Sequence, residues 1–578
     1  MNDQGDEPDV SGSSSFFIFI MYDMKSLSLI FLCIFALCSC RKDEDPGLNI
    51  GEIFIDSVFI NGTHVPSQES VSQVDYLDVE IRVMFRSRVD TMQLNRKKIF
   101  FTGTLDTFYT CRFEDNATEL FIYPQTPLAP YSTYRLVFDV GENLGGTLKT
   151  PHYYTFHTRL DTTPKFPAIS NDSLLTLVQY RTFQYFWDYA YPVSGLARER
   201  LGSGDVVTSG GSGFGLMAIL AGIERGFITR EQGLERFSRI VNFLIDPETD
   251  TFHGAFPHWM NGSNGKVIPF STKDNGGDLV ETAFLMQGLL TVREYFRNGT
   301  APEQALCDSI TRLWENVEWS WYRKNNENVL YWHWSPNYGW DMNMTISGWN
   351  EALIVYVLAA SSPTYPIPRE VYDNGWARNG AYPMVNGKTF YDVTLPLGED
   401  RGGPLFFAHY SFLGLDPRNL SDAWAHYLEQ NVAHTRINYE YCKQNPKNYM
   451  GYGPDCWGLT ASDIPGGYSA SSPNNDLGVI APTAALSSFP YTPEESMDAL
   501  HFFYYIVGDK LWGTYGFHDA FSLSSRWFAD SYIAIDQGPI AVMIENYRTG
   551  LLWDLFMAAP EIRQGLKNLG FSYPGILD

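Results

Sequence analysis

The chain has 578 residues, which is too long for one typical domain and predicts two or more. Its formal net charge is −25, and this acidic excess argues against nucleic-acid binding, because phosphate contacts need lysine and arginine. Aromatic residues make up 15% of the sequence, and such rings either pack in cores or stack on the C–H faces of sugars. Composition alone leaves both uses open.

A short apolar segment after Met24 has the form of a signal peptide. Residues 24–40 combine a lysine, an apolar run too short to span a membrane, and small residues before Cys40. Residues 37–40 resemble a bacterial lipoprotein processing box in which Cys40 receives the lipid, and the acidic RKDED that follows resembles the export signal of surface lipoproteins. We expect an outer membrane lipoprotein, at the cell surface or the periplasmic face, that touches the membrane only through its lipid anchor. A plain transmembrane anchor is the alternative.

Five cysteines remain beyond the leader, and their spacing fits neither a metal site nor a disulfide framework. A bridge between Cys442 and Cys456 stays open.

Residues 47–160 read as a β domain. Short alternating or β-branched runs (IFIDSVFI, LDVEIRVMF, KIFFTG, ELFIYP and YRLVFDV) are separated by Asn, Gly, Pro and Asp. This spacing predicts a small β-sandwich that resembles the Ig-like modules preceding bacterial catalytic domains.

Residues 165–578 follow a Pro-containing linker and show helical periodicity instead. Apolar residues recur at helical spacing, with Ser, Asp or Pro at several starts, over residues 171–190, 211–226, 230–245, 278–296, 302–317, 347–360, 421–439, 493–507 and 539–547. Long loops join these segments, and no βαβ pattern is present. The pattern predicts a toroid of paired helices, with function in the loops at one mouth.

Three carboxylates stand at one predicted helix start. Asp274, Asp278 and Glu281 are spaced by four and three residues across a Gly-Gly pair, so Asp278 and Glu281 share a helix face and Asp274 can turn toward them. The same residues also fit a capping box, which would satisfy free N–H groups without any chemistry.

Several loops join aromatic rings to carboxylates, and they lie at residues 252–259, 331–340, 348–352, 513–521 and 534–539. Glycoside hydrolysis needs one protonated carboxyl, one ionised carboxylate and flat faces that hold the sugar. No GxSxG, HExxH or phosphate-loop motif offers a competing chemistry.

Seven motifs carry a family resemblance in order: RTFQYFWD, GGSGFGLMA, FPHW, KDNGGDLVETAFLMQGLL, GWNEA, GFHDAFS and IDQGPI. Over residues 165–570 the chain resembles the glucoamylase-like domain of glycoside hydrolase family 144, the β-1,2-glucanases. The resemblance implies an (α/α)6 barrel, an inverting mechanism, a β-1,2-linked glucan as substrate, and no metal or cofactor.

Carried over by motif, the resemblance assigns roles within this chain. Glu351 becomes the general acid and Asp536 the candidate base, with Asp274, Asp278 and Glu281 as the acidic cluster. The candidate substrate contacts are Trp259, Trp332, Trp334, Trp340, Trp349, His518 and Arg198. Structural alternatives remain: Glu351 as a first-turn helix acid, Asp536 as an N-cap before Pro539, the tryptophans as core, and Arg198 and Arg200 as partners of acids.

Two other functions compete with hydrolysis. A surface glycan-binding lipoprotein would keep the aromatic faces without chemistry, and a glucan-processing domain of the cyclic-glucan synthase kind would need a membrane glycosyltransferase portion. We expect a monomer. Endo or exo action, chain-length preference and the identity of the base are not readable from the sequence.

Overall fold

The computed structural model describes residues 51–103 and 108–574. Cys40 and the predicted leader lie outside these residues. The chain divides into two compact units, the first ending at Arg159 and the second beginning at Leu160. Within the described ranges, no helix is both long and apolar enough to cross a membrane.

The first unit is built from β-strands in three sheets. Five strands pair in the order β3-β2-β5-β8-β7, four in the order β4-β12-β9-β6, and three in the order β1-β11-β10. The strands are β1 Gly51–Glu52, β2 Ile55–Ile60, β3 Thr63–His64, β4 Ser70–Val74, β5 Ile81–Phe85, β6 Ile99–Gly103, β7 Tyr109–Glu114, β8 Glu119–Pro124, β9 Thr133–Phe138, β10 Gly141–Asn143, β11 Gly146–Leu148 and β12 His152–Thr158.

One core joins the two larger sheets. Alternate residues such as Val58, Ile81 and Leu120 from the first sheet meet Leu136 and Phe156 from the second in a single buried cluster. Period-two alternation gives each strand one inward face, so these sheets pack as the predicted β-sandwich.

The second unit is predominantly helical. Its helices are α1 Asn171–Trp187, α2 Ser209–Glu224, α3 Arg230–Leu244, α4 Leu279–Phe296, α5 Ala301–Asn316, α6 Leu353–Ser361, α7 Arg369–Val371, α8 Tyr427–Gln444, α9 Pro482–Leu486, α10 Pro493–His501, α11 Gly508–Leu511, α12 Ala534–Arg548, α13 Leu551–Ala558 and α14 Pro560–Leu569. Short two- and three-stranded ribbons occupy the loops between them.

These helices form an inner and an outer ring. Helices α2, α4, α6 and α12 are apolar and buried on nearly every side, and with α9 and the 3-10 turns at 405–413 they close a circle of contacts. Helices α1, α3, α5, α8 and α10 pack outside this circle. A helix that is apolar all round belongs inside, so the predicted toroid of helix pairs is confirmed.

Three predicted helix starts differ from the observed ones by five or six residues. The segment predicted from residue 347 becomes helical only at Leu353, and the one predicted from 421 only at Tyr427. The helix predicted to begin at Pro539 begins five residues earlier, at Ala534, and keeps the proline inside it. Proline favours the first helical turn, and this preference misplaced the start. Asp536 is therefore not an N-cap, because Ile533 holds that position.

Two inner helices cross at glycines. A Cβ on Gly288 of α4 would lie 2.2 Å from the Gly213 carbonyl oxygen of α2, and one on Gly213 would lie 2.1 Å from the Phe284 carbonyl oxygen. The backbones touch here, so this crossing fixes the spacing of α2 and α4, whose N-termini hold the acidic cluster.

We predict that Gly288→Ala destabilises the helical unit by about 1–3 kcal/mol, because the added methyl overpacks the crossing. Every tryptophan of the sequence lies beyond residue 160, so tryptophan fluorescence during urea unfolding reports this unit alone. Gly467→Ala is the control, since its Cβ would meet nothing closer than 4.0 Å. Equal midpoints for the two variants would contradict the close-crossing argument.

Candidate active site

Asp278 joins three elements at the N-terminus of α4. It is fully buried, and its Oδ1 accepts the backbone N–H groups of Val280 and Glu281, each at 2.9 Å. Its Oδ2 accepts the indole N–H of Trp332 at 3.2 Å and lies 3.2 Å from Nδ1 of His258. Asp278 thus caps the helix with one oxygen and holds site residues with the other.

Glu281 does not complete a capping box, because its side chain turns toward α2. Its Oε2 accepts the Gly210 N–H at 2.8 Å and lies 3.4 Å from the Thr208 hydroxyl, which donates to it. Burial raises the pKa of Glu281, while the nearby His258 charge acts against that rise. The carboxyl therefore belongs to the junction of two inner helices.

Asp274 sits beside a buried histidine. Its Oδ1 lies 3.2 Å from Nε2 of His333, which also accepts the Gly276 N–H at 3.2 Å. Short strands at Gly277–Asp278 and His333–Trp334 pair antiparallel and bring the two loops together. Burial and the charge of Asp278 raise the pKa of Asp274 to about 7, and burial lowers that of His333.

His258 supplies the positive charge of this group. Burial alone would lower its pKa, but the Glu281, Asp278 and Asp274 carboxylates raise the pKa of His258 to about 9. Asp274, Asp278 and His258 bring potential ligand atoms within 4.8 Å of one another. A metal requires a neutral imidazole, whereas the raised pKa of His258 and its hydrogen bond to Asp278 favour the protonated ring, so the arrangement fits an ion pair better than a metal site.

Glu351 occupies the irregular segment just before α6. Its carbonyl accepts a hydrogen bond from the Ser411 hydroxyl, and Asn350 Oδ1 accepts the Ala352 N–H at 2.9 Å, which fixes this segment against the inner ring. Burial raises the pKa of Glu351 to about 7, and the charges of Glu281 and Asp278 add to the rise. A carboxyl of this kind holds a proton that it can donate near neutral pH.

Asp536 lies in the first turn of α12 with a second group of acids. It is 1% exposed, and its Oδ1 accepts the Tyr410 hydroxyl at 3.5 Å. Burial, followed by the charge of Asp519, raises the pKa of Asp536 well above its usual value. Asp519 is itself 2% exposed and accepts the Asp463 N–H at 2.6 Å.

A cavity of about 290 Å³ borders both groups of acids. Its lining includes Thr208 and His258, which contact Glu281 and Asp278, and Arg200, which contacts Asp463. Arg200 donates to Asp463 at 3.0 Å and to Glu199 at 3.0 Å. The Tyr410 hydroxyl donates to Asp536, and its pKa is raised by burial and then by the charges of Asp536, Tyr468, Glu351 and Glu281, so it feels acids of both groups.

The predicted tryptophan contacts separate into three environments. Trp259 lines the cavity with Phe270, their ring centres 4.8 Å apart, and Trp332 holds Asp278. Trp334 and Trp340 instead gather around the exposed Trp321, each with its ring centre 6.3 Å away. Trp349 is the exception: it is 6% exposed and stacks on Phe412 and Tyr427, so it belongs to the core and offers no face to a sugar.

Two further sequence-predicted contacts lie away from the cavity. The Arg198 guanidinium stacks over the rings of Tyr189 and Tyr191, at 4.8 and 5.1 Å, and it is Arg200 that faces the cavity. His518 packs against Tyr532, their ring centres 4.9 Å apart. Cys442 and Cys456 are both buried free thiols, so no bridge joins them.

Sequence reasoning missed several residues of the site: Glu199, Asp463, Tyr468, Phe270 and Tyr410. Asp519 was present in the motif GFHDAFS but was not singled out there. Asp463 and Tyr468 face each other across an isolated hairpin, Ala461–Ile464 with Gly467–Ala470, about which the sequence carries no catalytic signal.

Comparisons with known proteins agree on one group. A family model described as "Putative glucoamylase" matches residues 343–560. An exo β-1,2-glucooligosaccharide sophorohydrolase (non-reducing end) of Parabacteroides distasonis is 48% identical over 421 residues, which are 69% of this chain and 58% of that protein. The chain thus spans less than two thirds of that curated relative.

Solved structures extend the likeness to the fold. An endo-β-1,2-glucanase of Chitinophaga pinensis, solved with sophorotriose and glucose, is 58% identical with a TM-score of 0.69, over 70% of this chain and 100% of that one. A β-1,2-glucanase of Parabacteroides distasonis is 39% identical with a TM-score of 0.68, over 89% of this chain and 74% of that one. These likenesses confirm the fold class of a β module followed by an (α/α)6 barrel.

Proposed function

Because the chain belongs to the glucoamylase-like glycoside hydrolases of family 144, we propose that it hydrolyses β-1,2-glucan with inversion at the anomeric carbon. Both an exo-acting sophorohydrolase and an endo-acting glucanase occur among its relatives. Both relatives therefore act on β-1,2-linked glucose chains, but they cleave at different positions along the glucan.

The observation that carries the proposal is the raised pKa of Glu351, which burial and the charges of Glu281 and Asp278 produce. Burial raises the pKa of Glu351 to about 7, so it holds its proton where ordinary glutamates have lost theirs. The cavity beside the acidic cluster has aromatic walls from Trp259, Phe270 and Tyr468 and an Arg200 that can donate to sugar hydroxyls. Acid, base and stacking faces are the three parts that glycosidic cleavage requires.

The reaction then follows from the two groups of acids. Glu351 gives its proton to the glycosidic oxygen as the bond from that oxygen to the anomeric carbon breaks. A water attacks the same carbon from the opposite face and loses its proton to the acid group that contains Asp536. The product carries the new hydroxyl in the α configuration, which is the outcome of a single displacement.

We predict that kcat/KM falls as the pH rises through about 7, because Glu351 must be protonated to act as the acid and its pKa is raised to about that value. The measurement is the initial rate of release of reducing ends across about pH 5 to pH 9. An aryl β-sophoroside whose leaving group needs no proton should lose this alkaline decline. A profile on glucan that stays flat above pH 7 would contradict the role of Glu351.

The second candidate is a surface protein that binds glycan without cleaving it. The exposed Trp321, with Trp334 and Trp340 beside it, would suit that role. Incubation with β-1,2-glucan separates the two, since only the hydrolase produces new reducing ends. The size of the first products then distinguishes exo release of sophorose from endo cleavage.

We propose a lipid anchor at Cys40 and an outer membrane location on the basis of the sequence of residues 24–45. Mass spectrometry of the mature N-terminus tests this, and an unlipidated Cys40 would contradict it. Nothing in the site requires a second copy of the chain, and we expect a monomer.

A further inference from the structure

A pair of buried carboxyls, Asp519 and Asp536, lies beside the cavity, and neither forms an ion pair within residues 51–103 and 108–574. Asp536 comes from the first turn of α12, and Asp519 from the loop after the Trp512–Gly513 and Gly516–Phe517 ribbon. Asp519 is 2% exposed and Asp536 is 1% exposed. Two ionised carboxyls in such a place would be costly without a positive partner.

Burial raises the pKa of Asp519 and the charge of Arg200 acts to lower it, but this cation is already ion-paired with other acids. Arg200 donates to both Glu199 and Asp463, so one cation is shared by two acids. Asp463 accepts the Ser531 hydroxyl at 2.5 Å, and Tyr410 and Tyr468 are the remaining titratable groups that face Asp536. Both tyrosines are neutral near pH 7, since burial raises the pKa of each well above its usual value.

Asp519 and Asp536 accept hydrogen bonds of different strength from the surrounding residues. Asp519 Oδ2 accepts the Asp463 N–H at 2.6 Å, which favours the ionised form of Asp519. Among the described residues, the Tyr410 hydroxyl is the only O–H or N–H group whose hydrogen bond the Asp536 side chain accepts, at the long distance of 3.5 Å. Asp519 Oδ1 and Asp536 Oδ2 are buried and accept from no other described donor. The two carboxyls hydrogen-bond to each other, which requires a proton on one of them.

We propose that Asp519 and Asp536 form a carboxyl pair that holds one proton and one negative charge, and that this pair is the base of the reaction. Asp519, fixed by the Asp463 N–H, carries the charge, and Asp536 carries the proton in the resting enzyme. When water attacks, its O–H bond breaks and its proton passes to the pair, which becomes neutral. The pair later returns that proton to solvent, and Glu351 regains its own.

The pKa directions support this assignment. Burial raises the pKa of Asp519 to about 7, and the hydrogen bonds from Asp463 and Asp536 act against that rise. Burial raises the pKa of Asp536, and so do the charge of Asp519 and the hydrogen bond between the two carboxyls. Two like charges at hydrogen-bond distance cannot both be present, so such a pair titrates in two steps that belong to the pair.

The test counts charges in the absence of substrate. Capillary electrophoresis at about pH 8 compares wild type with Asp536→Asn and Asp308→Asn, the last an exposed control. Wild type then carries one charge on the pair, because the pKa of Asp519 is about 7. Asp536→Asn also leaves one, because Asp536 carries the proton of the pair and a neutral amide replaces a neutral carboxyl. We expect wild-type mobility for Asp536→Asn and a shift of one charge for Asp308→Asn.

A one-charge shift for Asp536→Asn at this pH would overturn the proposal, because it would show that Asp536 is ionised in the wild type. Asp536→Ser is the second variant with the same expectation, should Asp536→Asn fold poorly. If the pair is the base, Asp519→Asn should lower kcat at least about tenfold while KM stays within about threefold. An unchanged kcat would contradict the role of the pair as base.

The role of the pair as base rests on the proposed hydrolysis, whereas the shared proton does not. If wild type releases no reducing ends from β-1,2-glucan, the proposed function fails, while the mobility result still decides whether the pair holds a proton.

Discussion

Glu351→Gln should reduce hydrolysis of β-1,2-glucan by at least about 100-fold, the loss expected when a general acid is removed. Glutamine keeps the size of the side chain but has no acidic proton, so the glycosidic oxygen would leave as an alkoxide. The measurement is kcat from the release of reducing ends. KM should change little, because the sugar contacts are retained.

Two controls make that result specific. Glu370→Gln changes an exposed acid of the same type and should leave kcat unchanged. An aryl β-sophoroside with a good leaving group needs no proton, so Glu351→Gln should cleave it at close to the wild-type rate. Equal losses on glucan and on the aryl substrate would assign Glu351 to binding or folding and contradict its role as the acid.

Asp536→Asn should cause a loss of similar size, at least about 100-fold in kcat, because it disrupts the carboxyl pair that takes the proton of the attacking water. Unlike the acid variant, it should be equally slow on glucan and on the aryl substrate, since both need the water activated. Asp308→Asn is the matched surface control.

Rescue by the small anion azide is the decisive measurement on Asp536→Asn. Azide needs no base to attack, so it should restore turnover of the aryl substrate by Asp536→Asn and give an α-glycosyl azide. If azide leaves the rate unchanged and no azide product forms in a folded variant, Asp536 does not act on the nucleophile.

Much of the fold was predictable because the signals were periodic. Strand runs such as residues 81–85 alternate with a period of two, and α4 combines a clear apolar run with a capping aspartate, so their structures match the predictions. The start of α12 was misplaced because Pro539 sits inside the helix, where local preference does not expect it.

The acidic cluster was predictable for a local reason and its surroundings were not. Asp274, Asp278 and Glu281 lie within eight residues, and one helix start brings them together. His258, His333 and Gly210 reach them through pairing and helix contacts between distant segments, which no spacing encodes.

Two residues were wrongly predicted to contact substrate because they neighbour site residues in the sequence. Trp349 lies two residues before Glu351 and Arg198 two residues before Arg200, but Trp349 packs in the core and Arg198 stacks on tyrosines. Which side of an irregular loop faces the cavity is decided by tertiary packing. The role of Asp519 was hidden in the same way, because its partners Asp463 and Asp536 come from different elements.

The central claim is inverting cleavage of β-1,2-glucan in this cavity, and the most direct measurement is proton NMR of the first products from a defined β-1,2-glucan. The account predicts new reducing ends that appear first as the α anomer and then equilibrate. Glucan recovered intact would contradict the hydrolase, and a first product in the β configuration would contradict the assignment of Glu351 and the Asp519–Asp536 pair as acid and base of a single displacement.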